Sequence, residues 1–315
     1  MKKVLLTGAT GFIGRHCLPS LLSRGYEVHA VSLKGGPADK WPGGEWHQAD
    51  LLNSEQVRAL VERLRPTHLL HLAWYAVPGK FWTSLENVRW VQASLDLLQA
   101  FAQCEGRRAV MAGSCAEYDW RCGYCSEGAT PLSPATLYGV CKHSLQMILE
   151  GFAKEKQLSA AWGRIFFLYG PHEPPEKLVA YIIRSLLSGV PARCSHGDQI
   201  RDFLYVQDVA DALVALLDSD VRGPVNIASG QPIILKELIY TIAEKIGRRD
   251  LIQLGATPSP LDEPHLIVAN NFRLRDRVGW QPMYGLQTGL DATIEWWQQR
   301  LRGSHTANYN HFNLV

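Results

Sequence analysis

An α/β fold with a doubly wound parallel sheet and a smaller C-terminal α/β domain is predicted by three features of the chain. Short apolar runs alternate with longer amphipathic ones from Lys3 to Phe166, the pattern of successive βαβ units. A glycine-rich run, Thr7-Gly8-Ala9-Thr10-Gly11-Phe12-Ile13-Gly14, lies between the first apolar run and the first amphipathic one, as in a Rossmann-like domain. After Phe167 the alternation loosens into Pro/Gly-rich connections with separate helical segments.

The elements follow in order. Lys3–Thr7 reads as a strand, Phe12–Arg24 as its helix, and Glu27–Ser32 and Glu45–Gln48 as the next two strands. Ser54–Leu64 is a helix with Ser54 as its N-cap, and His68–Leu72 a strand that starts just after Arg65-Pro66. Leu85–Cys104 and Ala135–Glu155 are two long helices, flanking a strand at Arg108–Gly113; Ala160–Phe166 is a sixth strand. Tyr169-Gly170-Pro171-His172-Glu173-Pro174-Pro175 is too rich in proline and glycine to be anything but loop. Helices follow at Glu176–Ser188, Val206–Leu217, Leu235–Ile246 and Leu286–Arg300. The expected division is a dinucleotide-binding domain over 1–168 with a returning segment near 202–228, and a mainly substrate-binding domain over 169–302. The aperiodic 303–315 reads as a mobile tail that Phe312 and Leu314 could dock.

Composition narrows the function classes. The 315 residues are 46% hydrophobic and 20% charged, as in an ordinary soluble protein, and the net charge of +2 argues against nucleic acid or an anionic membrane as main partner. No apolar run reaches spanning length, and Thr7-Gly8 interrupts the N-terminal one far too early for a signal peptide. A cytoplasmic protein with reduced thiols is expected from the seven cysteines. Cys122-Gly123-Tyr124-Cys125 is a single CxxC without a second knuckle or a histidine at ligand spacing, so no metal is assigned.

The glycine run carries the first chemistry. A side chain at Gly8 or Gly11 would hold a diphosphate away from backbone N–H groups at the helix start, and Gly14 lets helix and strand approach. The acidic residue that would take both ribose hydroxyls at the end of the second strand is replaced by Ser32, with Lys34 beyond it and Arg15 on the first helix. Two cations and no carboxylate favour NADP(H), with NAD(H) as the alternative. Tyr138 and Lys142 sit four apart, on one helix face, where an ammonium would lower the phenol pKa and fit it for proton transfer.

These motifs occur in order along nearly the whole chain: Thr7–Gly14, Ala49-Asp50-Leu51, His71-Leu72-Ala73, Asn87-Val88, Gly113-Ser114, Tyr138–Lys142, Tyr169-Gly170-Pro171, Arg201–Val206 and Gly279-Trp280. Together they resemble the extended short-chain dehydrogenases/reductases of the NAD-dependent epimerase/dehydratase family. The resemblance implies a nucleotide-sugar substrate and a homodimer built on the two long helices. It also implies Phe12 and Ile13 on the cofactor loop, Asp50 and Leu51 at the adenine, and Leu72, Ala73 and Asn87 along the cofactor groove. Ser114 matches the family's catalytic hydroxyl, Tyr138 its proton donor and acceptor, and Lys142 its ribose-binding lysine.

Departures from the family pattern shape the reaction expected. Dehydratases of the family follow the hydroxyl residue with Asp-Glu, and its decarboxylases carry a Glu; here Cys115-Ala116 stands there, which removes the acid and base those reactions need. Keto reduction, at C4 of an activated sugar, and redox-neutral epimerisation with retained NAD are left. The Ser32 and Lys34 reading favours reduction. His172 resembles the histidine of combined 3,5-epimerase/4-reductases, although Cys115 lies one position off their partner cysteine. Arg201 matches the arginine that clamps the nucleotide diphosphate. Phe167 replaces an expected Asn, and no second clamp arginine stands near Pro260. Trp74 and Tyr75 replace small residues next to the nicotinamide and reshape the pocket. The remaining alternative, a non-catalytic dinucleotide sensor, is opposed by the intact Ser114, Tyr138 and Lys142.

Overall fold

The structure is a computed structural model that describes residues 2–35, 43–259 and 263–309, with side chains through 302. The first half runs β1 (Lys2–Thr7), α1 (Gly14–Ser23), β2 (Tyr26–Ser32), β3 (Gly44–Gln48), α2 (Ser54–Leu64), β4 (His68–His71), α3 (Glu86–Gln103), β5 (Arg108–Ser114), β6 (Tyr124–Cys125), α4 (Leu137–Lys156) and β7 (Ser159–Ile165). The second half runs β8 (Phe167–Tyr169), α5 (Leu178–Leu187), β9 (Ala192–Arg193), β10 (Ile200–Tyr205), α6 (Val206–Asp218), β11 (Gly223–Ile227), β12 (Pro232–Ile234), α7 (Leu235–Ile246), β13 (Ile252–Gln253), β14 (Leu266–Ala269) and α8 (Leu286–Tyr309).

Seven parallel strands form the main sheet in the order β11-β7-β5-β4-β1-β2-β3. The order reverses between β1 and β4, so a crevice opens at their carboxyl ends, where open α/β sheets bind ligands. Buried on both faces, these strands read as continuous apolar runs: Val4, Leu5 and Leu6 of β1 and Leu69 and Leu70 of β4 are all fully buried. One face packs on α1 and α6 through Cys17, Leu21, Val209 and Leu213; the other packs on α2, α3 and α4 through Val61, Leu97, Phe101 and Leu145. The chain thus returns to the main sheet through α6 and β11, the latter pairing with β7.

β10 leads away from that return. It pairs antiparallel with β12 and parallel with β8 and β14 in a second, smaller sheet, to which β6 joins through β14. A third core of Ile182, Ile183, Leu238, Ile242 and Leu290 packs α5, α7 and α8 together in the C-terminal part. Asp202, fully buried on β10, accepts from the backbone N–H groups of Ser229, Gly230 and Ala269 and so ties the segments after β11 and at β14 to β10.

Three local expectations change. Asn53, not Ser54, caps α2; its side chain accepts from the amides of Glu55 and Gln56, each at 3.1 Å. The second long helix starts at Leu137 because Thr136 takes the N-cap, accepting from the Gly139 amide at 3.2 Å, which places Tyr138 in its first turn. The helix expected to end at Arg300 continues to Tyr309, into the segment read as a tail; Phe312 and Leu314 lie outside the described residues. No helix among the described residues is long and apolar enough to cross a membrane.

Candidate active site

The glycine loop is shaped by contacts within the chain. Gly8 has φ +69°, and a Cβ there would sit 2.8 Å from the Ala73 amide nitrogen; at Gly14 it would meet the Gly8 carbonyl oxygen at 2.1 Å. These two glycines serve the close approach of loop, helix and the end of β4. Gly8 was expected to clear space for a diphosphate; its substitution would first collide with the protein itself. Gly11 fits the expectation better, since a Cβ there would meet only the Gly8 carbonyl oxygen, at 3.0 Å, on an otherwise open side. No side chain caps α1; the Arg15 and His16 amides donate to the Gly11 and Ile13 carbonyls, which leaves the Phe12 and Ile13 amides to face an anion. The cradle therefore fits a dinucleotide diphosphate.

Arg15, expected near Ser32, turns toward the glycine loop. Its guanidinium folds back on the loop, donating to the Gly11 carbonyl at 3.1 Å and the Thr10 carbonyl at 2.7 Å, and it contacts His172 Nδ1. The Ser32 hydroxyl donates to the Gly35 carbonyl at 2.7 Å, while Lys34 is exposed. Asp50 organises its own turn, accepting from the Leu52 amide, and Leu51 packs on the core under α2 and α3. Thr7 Oγ accepts from the amides of Leu72 and Ala73 and sits 2.7 Å from His71 Nδ1, while His71 Nε2 lies 2.9 Å from the Ser94 hydroxyl. Burial lowers the His71 pKa to about 3, with Lys142 adding to the effect, so this link between β1, β4 and α3 is neutral.

Asn87, expected along the cofactor groove, has a side chain engaged within the protein. It is fully buried, its amide donates to the Phe81 and Ser84 carbonyls, and its oxygen accepts from the Trp74 indole at 2.8 Å. Trp74 in turn covers Lys142, whose ammonium lies 3.7 Å from the indole centroid and donates to the Ala112 carbonyl at 2.7 Å. Tyr75 is half-buried beside it. The loop after β4 continues to Phe81 and Trp82, whose rings pack edge-on against Tyr138 at 4.9 and 5.7 Å, and the Trp82 carbonyl accepts from the Tyr138 amide at 3.1 Å.

Ser114 and Tyr138 come together because a glycine permits it. A Cβ at Gly139 would lie 2.3 Å from the Ala116 carbonyl oxygen, so only glycine lets the start of α4 press against the turn after β5. Burial raises the Tyr138 pKa, and a hydrogen bond with Ser114 partly reverses the shift. Lys142 was expected to provide that lowering; instead its own pKa is depressed to about 7, mainly by burial, with Glu117 opposing the shift. The constellation is a phenol poised on a hydroxyl, beside a lysine that is only weakly held in its charged form.

Behind Ser114 stands a group the sequence reading did not use. The chain turns after Ser114 instead of continuing as a strand, and Glu117 folds back fully buried. One carboxylate oxygen accepts from the Ser114 amide at 2.7 Å and the Trp162 indole at 2.9 Å; the other accepts from Arg164 Nε at 2.7 Å. Gly113 makes room, since a Cβ there would overlap the Trp162 indole nitrogen at 2.0 Å. Arg164 also donates to Tyr118 Oη, which donates to Asn226. An arginine in the otherwise apolar Trp162-Gly163-Arg164-Ile165 was the available signal.

The remaining expected residues are placed differently from a ready substrate grip. Cys115 is buried among Tyr118, Cys125 and Phe166, where burial drives its thiol pKa well up, so it is part of a core and not a pocket wall. Cys122 is exposed while Cys125 is fully buried, so the two thiols of the CxxC face different surroundings. His172 adopts φ +70° and packs against Trp296 with centroids 4.6 Å apart; burial and Arg15 lower its pKa to about 4. It is thereby joined to the glycine-loop arginine. Arg201 is buried, with Nη2 3.1 Å from the Glu263 carboxylate and Nη1 donating to the Ile200 and His265 carbonyls. Residue 260, near which a second clamp arginine was sought, lies outside the described residues.

Known proteins share this fold. The chain aligns with the solved structure of MoeE5 in complex with UDP-glucose and NAD at 29% identity and a TM-score of 0.81, over 95% of this chain and 99% of that one. It aligns with the Thermus thermophilus UDP-glucose 4-epimerase in complex with NAD at 26% identity and a TM-score of 0.79, over 94% and 99%. UDP-glucuronic acid decarboxylase 1 of Xenopus tropicalis is 25% identical over 98% of this chain and 74% of its own length. These solved structures carry NAD; they lend no support to the preference for NADP(H) drawn from Ser32 and Lys34. Residues 4–228 match the model of the NAD dependent epimerase/dehydratase family, and the chain belongs to that family of enzymes.

Proposed function

We propose that the protein is a redox-neutral epimerase of a nucleotide-activated sugar, acting at C4 with NAD retained between turnovers. The observation that carries this reading is the Ser114–Tyr138–Lys142 constellation beside a position where Cys115 and Ala116 offer neither acid nor base. Transient oxidation and return of hydride need only one proton-transfer group, and that group is present. Relatives described as UDP-glucose 4-epimerases, one of them solved in complex with NAD, favour this outcome over net reduction with NADP(H).

The residues divide the work as follows. The glycine loop and the Phe12 and Ile13 amides hold the diphosphate of the dinucleotide. Bound there, NAD would supply the acceptor and donor of the C4 hydride. Ser114 donates to the C4 oxygen, and Tyr138 takes the hydroxyl proton and later restores it. Phe81 and Trp82 give the sugar an apolar wall. Arg201 exchanges Glu263 for the sugar-nucleotide diphosphate, and the partly exposed Glu263 side chain turns toward water. The assembly is a homodimer through α3 and α4.

Identification of the nucleotide released when the purified protein is denatured tests the reading. About one NAD per chain is expected; a chain that releases no nucleotide, or releases NADP(H), contradicts it.

A further inference from the structure

On the edge of the main sheet, far along the strand order from β5, strands β2 and β3 gather four ionisable side chains on one face. His29 pairs in register with Glu45, Glu27 lies two residues before His29 on β2, and His47 two after Glu45 on β3, so all four project to the same side. His29 Nδ1 is 2.9 Å from His47 Nε2 and 3.3 Å from a Glu45 carboxylate oxygen, and His47 Nε2 is 3.8 Å from that oxygen. Three donors bound tetrahedrally to one zinc ion stand about 3.3 Å apart, so the three observed separations bracket the required triangle.

The inner histidine is already oriented for a metal. His29 is buried, and its Nε2 lies 2.9 Å from the Glu27 carboxylate. A carboxylate only accepts, so the ring proton is on Nε2 and the Nδ1 lone pair faces His47 and Glu45. Two cations oppose an ion here. Lys3 is 3.3 Å from Glu27, and Arg63 Nη2 is 3.3 Å from His47 Nδ1. Arg63 can only donate, so in the metal-free site His47 carries its proton on Nε2. Metal binding moves that proton to Nδ1, displaces the exposed Arg63 side chain, and requires a turn of the His47 ring, now 24° from parallel with His29.

We propose that His29 Nδ1, Glu45 and His47 Nε2 form a binding site for a divalent transition metal, with zinc best suited to the two-imidazole, one-carboxylate set and a fourth position left to water. The ion bridges β2 to β3, an edge strand none of whose residues is buried, and so clips that edge to the sheet. The site is independent of the catalytic residues and of the epimerase reading.

Zinc binding to the chelator-stripped full chain, measured by competition with a chromophoric chelator, tests it. The expected result is about one zinc per chain, retained in Cys122→Ser and weakened at least tenfold in both Glu45→Ala and His47→Ala. Glu45 is largely solvent-exposed, so its variant preserves the fold even where loss of His47 does not. No stoichiometric zinc, affinity unchanged in Glu45→Ala, or affinity lost in Cys122→Ser overturns the proposal.

Discussion

Glu117 shows how one buried residue fixes a catalytic geometry it does not touch chemically. Its carboxylate holds the Ser114 amide on one oxygen and Arg164 on the other, with neither charge exposed. Removing one partner of a buried pair leaves the other charge uncompensated, at a cost of about 3–5 kcal/mol. Glu117→Gln is therefore expected to lower stability by that order in chemical denaturation and to slow turnover at least tenfold by loosening Ser114. Unchanged stability would show that Arg164 finds another partner. The pair was hard to read from sequence because Glu117 and Arg164 are far apart along the chain, and no periodicity relates a turn to a later strand. The short-range features were legible: Ser114, Tyr138 and Lys142 lie where strand and helix periodicity put them, and Gly139 is the residue that lets them meet.

At the scale of elements, β1, β4 and α3 are joined by the buried chain Thr7–His71–Ser94. His71 has its pKa lowered from its ordinary value to about 3, so between pH 3 and 6.5 the unfolded chain binds a proton that the native site refuses. Stability contributed by the neutral ring is thus complete above pH 6.5 and lost as pH falls below it. From pH 6.5 to 5 the share of His71 is about 2 kcal/mol, at about 1.36 kcal/mol per pH unit. Denaturation midpoints of His71→Asn should fall less steeply over that range than those of the parent; equal slopes would exclude His71 as the source. Helices and parallel strands were readable because their apolar periodicity is local. The second sheet was not, since β6, β8, β12 and β14 are two to four residues long and owe their conformation to pairing partners rather than to pattern. Arg201 was legible as a residue type but not as half of an ion pair, because Glu263 reaches it across that same sheet region.

For the molecule as a whole, the two long helices leave an apolar face uncovered. Val88 on α3 and Val140, Met147 and Ile148 on α4 are each more than two-fifths exposed, and α3 packs alongside α4. A symmetric pairing of this face would bury them, as the proposed homodimer requires. Sedimentation should give a dimer for the parent and a monomer for the double variant Met147→Lys/Ile148→Lys; a parent that sediments as a monomer contradicts the assembly.

The proposed transient C4 oxidation without net redox change rests on the glycine loop, the Ser114–Tyr138 pair and the absence of acid or base at Cys115 and Ala116. The most direct test is proton NMR of UDP-hexoses incubated with purified protein and no added nucleotide cofactor. Interconversion of C4 epimers by the parent, reduced at least a hundredfold in Tyr138→Phe, is the predicted result. Failure to epimerise any UDP-hexose, together with stoichiometric oxidation of added NADPH on a keto sugar, would contradict it.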